Sequence, residues 1–411
     1  MKRNKKIIVI LIIILSVLIN TGCWDRRDFE KFILIKGIAV DKAEDENRVK
    51  YTVQVIVPSP EAGGSKPAGI DTYTLSSTGY SLYDANRNLV KQTGKKPFYG
   101  HSEVIIFSEE IAKKGISPYL DYFIRDPEIR GRSSIVVAKG EAEDILKAKH
   151  GIETITSTGI KTMVDGVSIS GTIVTVDLIH FLRQLFNDTT CAVASAIELR
   201  KKEGGAESQE QSKGGGNQQG EQQEEEILYA EGGFFFKGDK SQGVLTRKEA
   251  RGLNWIIDPQ EVRGPVLIHP PDESQERKIA IEITRTESKL RPKLVNGEFI
   301  MGVYIVTEGN IIEDMSRKYD ITEPANTKQL NKRFATVVNN EIINALKRTQ
   351  KVGADVFGFG ESIYRKYPQE FMKIKKEWPE YYKKLKLDID VRADIRREGM
   401  VKEGVGTHRS Q

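Results

Sequence analysis

Cys23, placed directly after Gly22, is the residue of this sequence best set for covalent chemistry. A thiol can take an acyl chain, and a small residue before it lets a peptidase reach the bond between Gly22 and Cys23. The stretch ahead fits that use. Lys2, Arg3, Lys5 and Lys6 make a basic start, residues 7–19 are apolar apart from Ser16, and Thr21 and Gly22 are small, which is the three-part layout of an export signal. The apolar run falls short of the roughly 20 residues a spanning helix needs, so an uncleaved anchor is the weaker reading, as is an ordinary cleaved signal. Lipid on Cys23 would make it the first residue of the mature chain. Each buried methylene contributes about 0.8 kcal/mol, and two or three acyl chains hold a protein stably at a bilayer.

The other reactive types give little. Cys191 lies alone in an apolar setting and reads as a small buried hydrophobe, so no intrachain disulfide is expected. His101, His150, His180, His269 and His408 are scattered, without HExxH or a cysteine cluster, so no metal site and no cofactor are expected. Ser168 and Ser170 sit in GVSISGT, which lacks the GxSxG elbow. Gly358 and Gly360 have no accompanying phosphate-loop lysine and read as backbone freedom before a helix. Residues 364–386, rich in Lys, Tyr and Trp, read as a pair of solvated helices covering a core, or as a surface that meets anionic headgroups or a partner. Tyr364, Lys366, Trp378 and Tyr381 are its contact candidates, with Trp24, Arg26 and Arg27 beside the lipid.

The elements that must carry these residues follow from periodicity. Period-two runs at 32–40 and 49–57, split by DKAEDEN, predict a hairpin. A strand at 73–77, a helix at 80–92 and a strand at 98–108 follow. Then come a helix at 116–125, a strand at 133–138, helices from 141, at 153–166 and at 176–186, and a strand at 192–199. Residues 201–226 hold no large apolar side chain and read as a linker or inserted loop. Strands from 227 and at 262–269 flank a helix at 246–255. Asn296 and Gly297 predict a tight hairpin, and Thr327 reads as the N-cap of a long amphipathic helix ending near Gln350. A strictly alternating strand at 387–396 closes the chain, which is expected to have an antiparallel C-terminal portion and no repeated βαβ unit. The fold class is α+β: mixed or antiparallel sheets flanked by helices, in several domains. The divisions are 1–22 (signal), 23–200, the 201–226 linker, 227–400 (a bridging part at about 227–275, then 276–400) and a 401–411 tail. The formal charge of +5 includes the four basic residues of the signal, which leaves a body near neutrality and no case for a nucleic-acid binder.

Gly22 and Cys23 together resemble a bacterial lipobox, although Asn20 stands where that pattern usually has an aliphatic residue. Joined to Trp24, Asp25, Arg26 and Arg27, to GGFFFKGDKSQGVLTRKEARGLNW at 232–255, to DVFGFGESIYRKYP at 355–368 and to VRADIRREG at 391–399, it resembles the Ger(x)C family, the C subunit of GerA-type spore germinant receptors. The resemblance covers the mature chain apart from 201–226. It implies a three-domain fold of mixed sheets and helices and no catalytic activity. It further implies a lipoprotein on the outer face of the spore inner membrane, assembled with two integral membrane subunits to start germination. The other reading is a solute-binding lipoprotein of a transporter, which would usually need repeated βαβ units and two lobes around a cleft.

Overall fold

A computed structural model describes residues 31–59, 69–201, 226–269, 278–315 and 323–397. Gly22, Cys23, Trp24, Arg26 and Arg27, nearly all of the 201–226 segment and the 401–411 tail lie outside the described residues.

The first of two sheets is nine-stranded and mixed. β1 (Phe32–Lys42), β2 (Val49–Ser59) and β3 (Gly69–Gly79) form an antiparallel meander, as the first hairpin predicted. β5 (Val104–Ser108), β6 (Ser134–Ala138) and β7 (Val193–Lys201) continue parallel to β1, β4 (Lys96–Phe98) pairs with β1 alone, and β8 (Glu226–Lys237) and β9 (Lys240–Leu245) turn back antiparallel. The expected strand at 98–108 is thus two, because the chain turns at Tyr99, whose carbonyl accepts from Ser102 N at 2.9 Å. β1 hides a change of phase. Ile33 and Ile35 share one core face with Ile38 and Val40, which strict alternation forbids; a bulge between Ile35 and Gly37 inserts the extra residue.

Both faces of this sheet are covered. On one lie α1 (Leu82–Thr93), α2 (Glu109–Lys114), α3 (Ser117–Arg125) and, beyond the others in sequence, Leu178 and Phe181 of the helix at Leu178–Leu185. On the other lie α4 (Ala142–Lys147) and α5 (Thr156–Asp165). A short turn of helix, α6 (Val167–Ser170), precedes α7 (Leu178–Leu185). Burial on both faces explains the unbroken apolar runs of β5 and β6. It also corrects the expectation of no βαβ units, because helical crossovers join the parallel strands β5 and β6 and the parallel strands β6 and β7. α4 is capped from a distance: Asp41 on β1 accepts from Ala142 N at 2.6 Å and Glu143 N at 2.9 Å.

The second sheet runs β10 (Gly264–Ile268), β11 (Ile279–Val295), β12 (Glu298–Asp314), β13 (Lys386–Arg397). Asn296 (φ 51°) and Gly297 (φ 80°) make the predicted turn between β11 and β12. β13 lies parallel to β12, not antiparallel as expected, because the whole helical segment 324–384 crosses over between them. That segment begins with α9 (Pro324–Gln350), whose buried stripe is Leu330, Phe334, Val338, Ile342, Ala345 and Leu346. Pro324 starts the helix three residues before Thr327, which lies in the first turn and donates its hydroxyl to Glu323 O at 3.2 Å.

The 201–226 segment divides the chain in sequence but not the first sheet, since β8 pairs with β7 along its length. Nor do residues 227–269 form a body of their own. β8 and β9 finish the first sheet, β10 edges the second, and α8 (Arg247–Ile257) packs between, started by a capping box of Thr246 and Glu249. The described residues thus build two sheets. Gly252 lets α8 meet α9: a Cβ there would stand 2.1 Å from Glu341 O. Beside it Arg251 grips Glu341 with two nitrogens, at 2.9 and 2.5 Å, and donates to Pro265 O at 2.8 Å, while Trp255 Nε1 donates to Glu341 at 3.0 Å. The two charged side chains are only 7% and 4% exposed.

Glu341→Ala leaves Arg251 buried and unpaired and is expected to lower unfolding free energy by about 3–5 kcal/mol. Glu287→Ala, in the exposed pair with Arg285, is expected to cost under about 1 kcal/mol. Urea denaturation of the two variants checks the contrast.

Candidate functional site

The residues singled out in the basic aromatic stretch divide between core and surface. They lie on α10 (Phe359–Lys366), α11 (Pro368–Ile374) and α12 (Trp378–Lys384), which Pro368 and Pro379 start rather than merely interrupt. Trp378 is 2% exposed, packed on Phe371 and stacked on Tyr381, so its side chain belongs to the core and offers no contact surface. Tyr381 is half-buried, and its hydroxyl accepts from Phe299 N at 2.7 Å, tying α12 to β12. Lys366 is exposed but donates to Pro292 O at 2.9 Å, and Tyr364 is 43% exposed with its ring against Phe371. Only Tyr364 and Lys366 remain on the surface.

The motif that contains Gly358 and Gly360 is built around Asp355. Its carboxylate, buried, accepts from Phe357 N (3.2 Å), Phe359 N (3.1 Å), Gly360 N (2.7 Å) and Trp378 Nε1 (3.2 Å), and its carbonyl accepts from Cys191 N at 2.7 Å. Asp355 therefore fixes the start of α10 and joins it to the strand β7 side. Burial pushes its carboxyl up to about 6, against the opposing pull of those four donors. The half-buried Cys191 thiol is likewise pushed up to about 11 by burial, which keeps it protonated and unreactive.

Among the described residues the histidines are not brought together; His408 lies outside them. His101 packs edge-on against Phe98, His150 Nδ1 accepts from Glu153 N, and His180 pairs with Asp177 in its own helix. Among the described residues no three His, Cys, Asp or Glu side chains are grouped to hold a metal. Nor is any described helix long and apolar enough to cross a membrane.

What the structure does assemble is a groove of about 830 Å³ in the first half of the chain, between the β1–β2 turn, α1, β4 and α3. It does not lie between the two sheets. Its floor is a ring of hydrogen bonds: Tyr99 donates to Asn86 Oδ1 (2.9 Å), Asn86 Nδ2 to Tyr122 (3.0 Å) and Tyr122 to Tyr99 (3.4 Å), with the buried Tyr51 donating to Tyr99 (2.9 Å). Burial pushes the Tyr122 phenol up to about 12 and those of Tyr51 and Tyr99 well above their usual range, so all three stay protonated donors. Arg48, Tyr80, Tyr83 and Arg87 form one wall. Sequence reasoning missed this site because its residues come from four separate elements. The one local signal was the shared face of Tyr83, Asn86, Arg87 and Val90 on α1, at spacings of three and four.

The raised carboxyl of Asp355 makes a signed prediction. A folded-state value above the unfolded one near 3.8 means that its contribution to stability is full below about pH 4 and is lost as pH rises through about 6. Asp355→Asn cannot titrate and sets an amide NH₂ against N–H donors. It is expected to be about 1–3 kcal/mol less stable, with a flatter stability curve between pH 4 and 6. Urea titrations across that range decide it; parallel curves for the two proteins would contradict the assignment.

Comparison with known proteins places the fold. The family profile described as the spore germination protein N-terminal domain matches residues 25–199, and that described as spore germination B3/GerAC like, C-terminal, matches 231–399. Spore germination protein KC of Bacillus subtilis (strain 168) is 26% identical over 406 residues, covering 96% of this chain and 97% of the relative. Spore germination protein B3 of the same organism is 22% identical over 409 residues, covering 98% and 100%. The crystal structure of the GerBC protein shares the fold, with a TM-score of 0.52 at 19% identity over 87% of this chain and 96% of that one. With both of its halves matched, this chain belongs to the GerAC-like spore germination protein family.

Proposed function

We propose that this chain is the lipid-anchored, non-catalytic subunit of a nutrient germinant receptor. Acylated Cys23 would hold it on the outer face of the spore inner membrane beside two integral membrane subunits. The observation that carries the reading is the extent of the family match. The two profiles account for residues 25–199 and 231–399, leaving outside them the basic and apolar leader that ends in Gly22 and Cys23. The relatives named for germination are matched along almost their whole length, which supports the same role for the whole chain. The buried family motifs support a non-catalytic role: Arg251 is held by Glu341, and Asp355 by backbone donors, within the packing.

Spores lacking the gene are expected to lose the response to one nutrient class while still germinating with calcium dipicolinate. A normal response to every nutrient, with uptake of one solute lost, would favour solute binding for a transporter. Cys23→Ala is expected to abolish acyl labelling and release the chain from membranes unless the integral subunits retain it, with weaker germination. Unchanged labelling together with unchanged retention would sink the lipid anchor.

A further inference from the structure

We infer that the groove beside α1 binds a small organic anion with a flat apolar body, an aromatic carboxylate being the simplest example. Its volume, about 830 Å³, is that of sites that enclose small molecules rather than single ions. Two aromatic side chains line it while mostly exposed, Tyr80 at 70% and Tyr83 at 60%. Each carries a guanidinium near its ring: Arg48 at 4.8 Å from the Tyr80 centroid and Arg87 at 5.9 Å from that of Tyr83. A flat ring can stack in this wall, where an aliphatic chain or a sugar gains less.

The charges select the sign. Lys96 pairs with Glu128 at 3.2 Å and Arg125 with Asp121 at 2.8 Å, so that side of the groove is neutralised within the protein. The Tyr80–Tyr83 side is neutralised only in part, by Asp45 beside Arg48 at 3.4 Å and by Asp84, which accepts from Tyr80 N at 3.0 Å. Arg87 has no carboxylate partner among the described residues, and Lys42 donates to a backbone carbonyl, Glu46 O, at 2.9 Å. Arg48 is already engaged, donating to the Tyr80 hydroxyl at 3.3 Å and pairing with Asp45 at 3.4 Å, although its Nε makes no hydrogen bond, so Arg87 is the cation left for a ligand. The tyrosine ring on the floor is already satisfied by Asn86, so it supplies a rigid base and leaves polar recognition chiefly to Arg87.

The test is calorimetric titration of the full-length chain in detergent with 2-naphthoate and with its uncharged isostere 2-naphthamide. Naphthoate is expected to bind at one site, with naphthamide about tenfold weaker, as for loss of one charge-assisted hydrogen bond. Arg87→Gln should remove most of that difference and Tyr83→Ala should weaken both compounds. Both residues are exposed, and far-UV circular dichroism confirms that the variants fold. Equal binding of the two compounds, binding of neither, or naphthoate binding unmoved by Arg87→Gln and Tyr83→Ala would each overturn the proposal. The site stands apart from the receptor reading, which is decided in spores and not by this titration.

Discussion

The contact between α8 and α9 is the constraint on which the rest of the body depends. α8 leaves the last strand of the nine-stranded sheet, and α9 covers the four-stranded one, so their approach decides how the two sheets meet. The approach is close because Gly252 has no side chain to set against Glu341 O, and it is specific because Arg251 and Trp255 both terminate on the Glu341 carboxylate. A buried ion pair of this kind gains little net stability over an apolar filling, since desolvation offsets the attraction. Its effect is on register. Slide or rotate either helix, and a charge is left buried without its partner.

From that joint follows a single apolar core that takes Val193 and Phe235 from the first sheet and Val266, Ile281 and Val303 from the second. Asp355 reinforces it from the other side, holding the start of α10 against the chain at Cys191. The segments that mark the family, GGFFFKGDKSQGVLTRKEARGLNW and DVFGFGESIYRKYP, are therefore the parts that join the halves. Arg251, Trp255 and Asp355 in them look like chemistry in the sequence and act as packing in the fold. The groove lies elsewhere, wholly within the first half, and neither segment supplies a residue to its lining.

Strands and helices were legible wherever burial was one-sided or turns were explicit. The stripe of α9 from Leu330 to Leu346, the turn at Asn296 and Gly297 and the first hairpin all follow from periodicity and turn chemistry. Strand direction was not legible, because β13 reads the same whether it runs with β12 or against it, and only the length of the crossover decides. The bulge at Ile35 was hidden for a related reason: alternation continues on both sides of it, with the phase changed. Trp378 was misplaced because Lys-rich neighbours suggested a surface, whereas the polar end of its indole is satisfied by a buried carboxylate contributed by Asp355. The groove was legible only as one face of α1, since Arg48, Tyr83, Tyr99 and Tyr122 share no sequence window.

A rigid two-sheet body, held together by its family motifs, is thus joined to a proposed lipid attachment two residues before the family match begins. The most direct test is the mass of the N-terminal peptide of the chain extracted from spore membranes. The account predicts a peptide beginning at Cys23 and carrying a diacylglyceryl group, with or without a further acyl chain on its amino group. A peptide that begins at Met1, or one cut elsewhere and free of lipid, would contradict it.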